Sequence, residues 1–361
     1  MFKSGILLIA VLLLAGCGGN SVHRLPPSEA AHAGVPHEFP TPPPTQPIPS
    51  SNFPHPLPPT SVPVATWTSL DGWAAQHGLT APRRVSERPV AAYSLASQYG
   101  TMVVEIGSRE ATWNGVEINL GFAPQLIDGE ISLYGLDLQK NLEPLLCEPP
   151  ITFAPGQVVV IDPGHGGSNV GTHSVLDGRF EKEFTLDWAK RLKPLLEAEG
   201  WTVYLTRNSD TYVTNLDRVA FAAARRADLF ISLHFNSGAP DTTQAGLETY
   251  CLTPTGMPST VTRNYADLWT ENLPDNAFDA HNLQLAVHVQ SAMLHALGMT
   301  DRGVRRARFI GVLRGQRRPA ILIEAGYLSN PHEAALIESD AYRQKLAVAL
   351  AAALKPDEDG K

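Results

Sequence analysis

The chain has 361 residues, enough for two domains, and 43% of them are apolar, enough for a sizeable core. A net charge of −8 gives duplex binding no global electrostatic support, which argues against nucleic acid as a partner. The 30 prolines are clustered, so the chain is uneven along its length.

The first stretch, "MFKSGILLIAVLLLAGCGGN", opens with a positive charge at Lys3 and continues in an apolar run from Ile6 to Ala15. That run falls short of the roughly 20 residues a membrane span needs and suits the apolar part of a secretory signal. "LLAGC" resembles a bacterial lipobox, which implies a signal peptide over residues 1–16, cleavage before Cys17 and a lipid on its thiol. Residue 18 is Gly rather than Asp, and by the lipoprotein sorting pattern the expected address is the periplasmic face of the outer membrane. Residues 17–63 form a lipidated cysteine and a proline-rich linker, disordered and inclined to extended polyproline geometry. At ~3.1 Å per residue its forty or so residues reach at most about 120 Å. His23, His32, His37 and His55 are spaced irregularly there and read as solvated linker histidines.

Residues 64–150 read as a small α+β domain. "TSLDGWAAQHG" predicts a short helix capped by Ser69 or Asp71 and stopped at Gly78. "YGTMVVEIGSREATWNGVEINL" predicts two short strands with turns at Gly107-Ser108 and Asn114-Gly115, and "LDLQKNLEPLL" looks helical. Trp67 to Leu146 faintly resembles the copper amine oxidase N-terminal-like module, and no cluster of ionisable residues suggests chemistry. A spacer or wall-binding module is the expectation.

From about Gln157 strand-like and helical runs alternate, which predicts an α/β layered domain over residues 155–355. "VVVID" is a strand, and "EKEFTLDWAKRLKPLLEAEG" carries apolar residues at helical spacing, with Pro194 predicting a kink or boundary. "WTVYLT" is a strand, and Thr214 with Asp217 forms a capping box for "NLDRVAFAAARRA". "LFISLHF" and "GLETYCL" are strands, "LQLAVHVQSAMLHAL" a helix, "PAILIEAGYL" a strand and "DAYRQKLAVALAAAL" a closing helix. Cys147 and Cys251 read as separate buried thiols, since two cysteines make no disulfide framework. Thr255 to Ala280 reads as an ordinary surface connection rather than a regulatory helix.

Four polar residues sit at the ends of these elements: His165 after "VVVIDPG", Glu181 at a helix start, His234 after "LFISL" and Glu324 after "AILI". Ligands gather beyond the carboxyl ends of strands in open α/β sheets. Two imidazoles and a carboxylate suit a catalytic zinc that keeps one open position, with a second carboxylate as general base. Spacing alone leaves alternatives: the glycine-rich "IDPGHGGSNVG" could cradle an anion, although it lacks a P-loop lysine, and neither Glu183 nor His173 is ruled out as a ligand.

"VVVIDPGHGG", "FEKEFTLDWAKRL", "DLFISLHFNSG", "GLETYCLTP", "DRGVRRARFIGVLR" and "PAILIEAGYLSNPHEAALI" closely resemble, in order, the catalytic domain of zinc-dependent N-acetylmuramoyl-L-alanine amidases, the amidase 3 family. The likeness covers nearly all of Gln157 to Leu354. It implies a twisted, mainly parallel sheet flanked by helices, one Zn²⁺, and hydrolysis of the amide between N-acetylmuramic acid and L-alanine in peptidoglycan. By position it assigns His165, Glu181 and His234 as metal ligands, preferring Glu181 to Glu183, and Glu324 as the catalytic carboxylate. Phe235 stands where the family often has a small residue and is expected to narrow the groove. Two other readings fit the same residues: a peptidoglycan-binding lipoprotein without activity, and a zinc peptidase acting within stem peptides. Seven arginines between Arg302 and Arg318 are either a solvated basic surface or a patch for stem-peptide carboxylates, with Arg306 and Arg308 as its candidates and Asn236 as a further substrate contact. An activating partner protein is not legible in the sequence.

Overall fold

The computed structural model describes residues 66–87, 90–262 and 267–357, all within one compact unit. The lipobox, Cys17 and the proline-rich linker lie outside the described residues. In the described chain no helix is long and apolar enough to cross a membrane.

The small N-terminal part begins with β1 (Trp67–Ser69) and α1 (Leu70–Gln76), where Ser69 Oγ accepts the Gly72 N–H as the helix cap and Gly78 follows at φ +69°. Next come β2 (Arg83–Ser86), β3 (Ala92–Ala96), β4 (Thr101–Glu105), β5 (Glu110–Trp113), β6 (Val116–Asn119), β7 (Gln125–Ile127) and β8 (Glu130–Tyr134). The stretch read as two strands is three, β4 to β6, because the turns at Gly107 and Gly115 each close a hairpin. A helical run follows as α2 (Gly135–Asp137), a π turn (Leu138–Leu142) and α3 (Glu143–Leu146).

The larger part contains β9 (Val158–Pro163), α4 (Glu181–Ala198), β10 (Thr202–Leu205), α5 (Asn215–Ala224), β11 (Leu229–Asn236) and β12 (Leu247–Cys251). After a 3₁₀ turn (Pro274–Phe278) it continues with α6 (Asp279–Leu297), β13 (Asp301–Arg306), α7 (Gly311–Arg314), β14 (Ala320–Tyr327), α8 (Pro331–Glu338) and α9 (Asp340–Ala353). Helix α4 runs through Pro194 without ending there. Thr214 caps α5 as expected: its Oγ1 accepts the Asp217 N–H and donates to the Asp217 carboxylate.

Strands β10, β9, β11 and β14 are parallel neighbours, the mainly parallel sheet expected. Beyond β14 the sheet turns mixed: β12 runs antiparallel to it and β13 parallel to β12. Among the described residues the sheet does not stop there. β13 pairs with β6 through Val304 and Ile118, and the order continues β6, β5, β4, β3, β2. The small part thus extends the sheet of the larger part.

Alternation along the strands sorts the two faces. Val159, Ile161, Leu229, Ile231, Leu233 and Ile323 belong to the cluster that includes residues of α4, α6 and α9. Val160, Phe230, Ala320 and Leu322 join the other cluster, with Ala222 of α5 and Leu313 of α7. By the same parity Asp162, His234, Glu248 and Glu324 stand on the α5 and α7 face. The Phe235 ring is 1% exposed and packs against Trp188 and Phe184. Cys147 and Cys251 are both free thiols, the first half-buried and the second buried.

Candidate active site

The site is built where β9, β11 and β14 end. His165 leaves β9 at φ +62°, a left-handed conformation rare for a residue with a Cβ. Two buried arginines hold it there by capturing three successive carbonyls. Arg207 Nε and Nη2 donate to the oxygens of Pro163 and Gly164 at 2.9 and 2.8 Å. Arg218 donates to Pro163 O at 3.0 Å and to His165 O at 2.6 Å. Arg218 is itself paired with the buried Asp162, which also accepts from Thr206 and Ser232 hydroxyls at 2.5 and 2.7 Å. Burial, with the neighbouring Arg218 charge, pushes Arg207 down to about 10, which still leaves it cationic at neutral pH. Asp162, Arg207 and Arg218 received no role from the sequence. Their signal was weak: an arginine just past a strand in "LTR" and another inside an otherwise apolar helical face.

Glu181 is the first residue of α4 and is 3% exposed. Its Oε2 lies 2.9 Å from His165 Nε2 and accepts the Thr172 N–H at 3.0 Å. Its Oε1 lies 2.9 Å from His234 Nδ1 and accepts the Phe235 N–H at 3.0 Å. Burial alone would raise the Glu181 pKa, but hydrogen bonds and charge from both imidazoles outweigh it and hold the carboxyl far below the ordinary range. Burial likewise lowers His165, and the Glu181 hydrogen bond and charge reverse that, leaving it raised. Glu183 instead accepts the Phe180 N–H at 3.2 Å, outside the cluster, and His173 is exposed on a short bridge to Phe180.

One donor atom each from His165, Glu181 and His234 falls within 4.8 Å of the others, so the three could hold a metal ion. The hydrogen bonding fits a cation. His165 Nδ1 lies 2.8 Å from Asn169 Oδ1, an acceptor, so Nδ1 carries a proton. The Nε2 lone pair of a neutral ring would then face a carboxylate oxygen, and only a proton or a metal ion between them relieves that opposition. The glycines serve this packing. A Cβ at Gly164 would lie 2.3 Å from the His234 ring, and one at Gly171 2.5 Å from Glu181 Oε2. The loop therefore leaves room for the His234 and Glu181 side chains to close on His165.

Glu324 stands beside His234 in the parallel register of β11 and β14, and beside Glu248 in the antiparallel register of β14 and β12. Glu248 is buried and accepts from the hydroxyls of Tyr250 and Tyr327, each at 2.6 Å, and from Arg302 Nε. These residues line one cavity of about 740 Å³, together with Asn236, Tyr212 and Arg305.

Arg306 and Arg308 do not reach it. Arg306 is 2% exposed, on the opposite face of β13, and donates to Lys140 O and Asn141 Oδ1 at 2.9 and 2.8 Å. Arg308 is 4% exposed and donates to the carbonyls of Pro254 and Met257. Both brace loops rather than offer charge to a ligand, because strand alternation and burial turn them inward. Asn236 does line the cavity. The connection after β12 carries, among its described residues, only the 3₁₀ turn Pro274–Phe278, and it is pinned by Asp267 to Ser259 and by Glu271 to Arg314.

Residues 159–356 match the family model described as N-acetylmuramoyl-L-alanine amidase. The uncharacterised protein YqiI of Bacillus subtilis (strain 168) is 33% identical over 214 residues, covering 57% of this chain and 91% of that protein. The N-acetylmuramoyl-L-alanine amidase AmiA of Escherichia coli (strain K12) is 30% identical over 218 residues, covering 54% of this chain and 74% of AmiA. The amidase LytC of B. subtilis is 32% identical, but the match covers only 34% of its length. Among solved structures, an N-acetylmuramoyl-L-alanine amidase from Clostridium difficile 630 is 33% identical at a TM-score of 0.46, covering 55% of this chain and 95% of that one. With more than half of its residues matched by the family model, the chain belongs to the N-acetylmuramoyl-L-alanine amidase family and is a peptidoglycan amidase.

Proposed function

We propose that the protein hydrolyses the amide between N-acetylmuramic acid and L-alanine with one zinc ion held by His165, Glu181 and His234, and with Glu324 as the general base and acid. The observation that carries this reading is the convergence of two imidazoles and a carboxylate within 4.8 Å, with Glu324 next to His234 on the neighbouring strand. Zinc on such a donor set would supply Lewis acidity, polarising the carbonyl and making a water acidic near neutral pH.

The chain's own residues supply the rest. Arg207 and Arg218 fix the His165 backbone, and Asn169 fixes its tautomer. Glu324 takes a proton from the attacking water as the new C–O bond forms and delivers it to the L-alanine nitrogen as the C–N bond breaks. No serine or cysteine nucleophile is needed, and Cys251 is buried in the core with its thiol pushed up to about 11 by burial.

The lipobox at Cys17 supports a lipid-anchored enzyme in the periplasm, held to the outer membrane by a proline-rich tether. Residues 64–150 keep their reading as a copper amine oxidase N-terminal-like module, supported by their α+β content. Digestion of purified peptidoglycan with and without chelator, followed by product analysis, tests the reaction. Chelator-sensitive release of stem peptides with a new L-alanine amine is expected. Muropeptides cut at another bond would overturn it.

A further inference from the structure

The β13 end of the cavity has a chemistry that neither the metal cluster nor Glu324 uses. Glycine at position 303 has φ +84°, and the register of β12 against β13 slips there: Leu247 pairs with Asp301 but Thr249 with Val304. Glu248 thus faces two residues of β13, a β-bulge. Without the bulge, Arg302 and Arg305 would alternate to opposite faces. With it, both line the cavity, in the same wall as Glu324.

Each guanidinium is fixed from behind. Arg302 Nε–H donates to Glu248, and its Cζ lies 5.0 Å from the Tyr327 ring centre. Its two terminal nitrogens have no hydrogen-bond partner among the described residues, and the side chain is 30% exposed. Arg305 Nη2 lies 3.2 Å from Glu117 Oε1, and its Nη1 donates to Asn119 Oδ1 at 3.4 Å. Glu117 and Asn119 belong to β6 of the small N-terminal part. The Glu117 N–H also donates to Asp301 at 2.8 Å, and a Cβ at Gly303 would lie 2.9 Å from Glu117 O. The same glycine makes the bulge and admits the neighbouring strand.

Arg302 lies two strand spacings from Glu324, about 10 Å at roughly 4.8 Å per step. Two extended residues span about 7 Å, and an acidic side chain covers the remainder. Sugar hydroxyls offer such donors no charge, whereas carboxylates on the peptide match the guanidinium fork.

We propose that Arg302 and Arg305 form a carboxylate-binding subsite for the peptide half of the substrate, with Glu117 and Asn119 of the small N-terminal part holding Arg305 in position. This rests on the amidase reading above. The subsite is preorganised, so binding does not have to order two long side chains.

The test compares two N-acetylmuramoyl peptides that differ only after L-alanine: one carries a free carboxylate there, the other a carboxamide. The full chain should favour the carboxylate by about tenfold, mainly through KM, the scale of one charge-assisted hydrogen bond. The double variant Arg302→Gln, Arg305→Gln should lose that preference. Arg305→Gln alone, which leaves the Glu248 pair intact, should reduce it, and Arg305→Lys should restore part of it. Glu117→Gln should weaken the preference through Arg305. A wild-type enzyme that cleaves both peptides equally, or a double variant that keeps the preference, would overturn the subsite and leave the amidase reading standing. Failure of the wild type to release peptide from either substrate would overturn both.

Discussion

The loop after β9 and the segment from β13 to α7 both border the cavity, but they are organised in opposite ways. In the first, the arginines come from elsewhere in the chain, Arg207 after β10 and Arg218 in α5, and their targets are backbone carbonyls beneath His165. In the second, the arginines are the segment's own residues, and adjacent ones take different roles: Arg305 faces the cavity and Arg306 the interior. An arginine's function here follows from which face of the sheet its Cα occupies, and sequence clustering says little about it. On the proposed reading, chemistry and its bracing fall to the β9 side, and recognition to the β13 side.

The largest expected effect tests that division at its centre. Glu324→Gln should lower the turnover for peptide release on the order of 10²- to 10⁴-fold while the protein still binds its metal. A variant that stays active, or one that loses metal, would move Glu324 out of the role of proton carrier.

On the β9 side, Arg218→Ala strips the buried Asp162 of its cation and frees the His165 carbonyl. Removing one partner of a buried ion pair costs about 3–5 kcal/mol. Thermal unfolding should show that loss, and metal content at limiting zinc should fall with it. Unchanged metal affinity in a folded Arg218→Ala protein would show that His165 does not need its bracing.

Arg306→Ala should do the reverse of any change at Arg305. Lys140 O and Asn141 Oδ1 lose a charged donor, worth about 3 kcal/mol together. The folded fraction should keep its KM for carboxylate peptides. A raised KM in well-folded Arg306→Ala protein would break the division by strand face.

The side of the site that carries the His165, Glu181 and His234 cluster was legible because its residue types announce themselves at element ends. His165, Glu181, His234 and Glu324 each follow or open a strongly periodic run, and the family pattern then chose Glu181 over Glu183. The parallel strands and the Thr214 N-cap of α5 were readable for the same reason: their signals are local. The bracing was not, because Asp162, Arg207 and Arg218 meet across 56 or fewer residues through contacts that no period encodes. The β13 arginines were misread for a related reason. Strand alternation and burial turn Arg306 and Arg308 inward, while one bulge, made by Gly303 against the close Glu117 backbone of β6, brings Arg302 and Arg305 to the cavity. The same holds for the union of β13 with β6, where a sequence boundary at residue 150 hides a shared sheet.

The smallest expected effect separates charge from shape on the β13 side. Burial pushes the Glu248 carboxyl up, but hydrogen bonds from Arg302, Tyr250 and Tyr327 outweigh it, so its folded pKa lies below the unfolded value. The carboxylate's contribution to stability is then complete above the unfolded value of about 4.3 and fades as the pH falls through the folded one. Glu248→Gln should cost on the order of 2 kcal/mol at pH 7, less than the ~3–5 of a fully buried pair because Arg302 is partly exposed. Denaturant titrations of wild type and variant should converge only as the pH falls through the lowered folded pKa of Glu248, where both present a neutral side chain to Arg302. A difference that persists unchanged at low pH would mean that Glu248 holds this wall by its shape and its tyrosine contacts. Arg302 would then owe its orientation to the bulge and the Tyr327 ring.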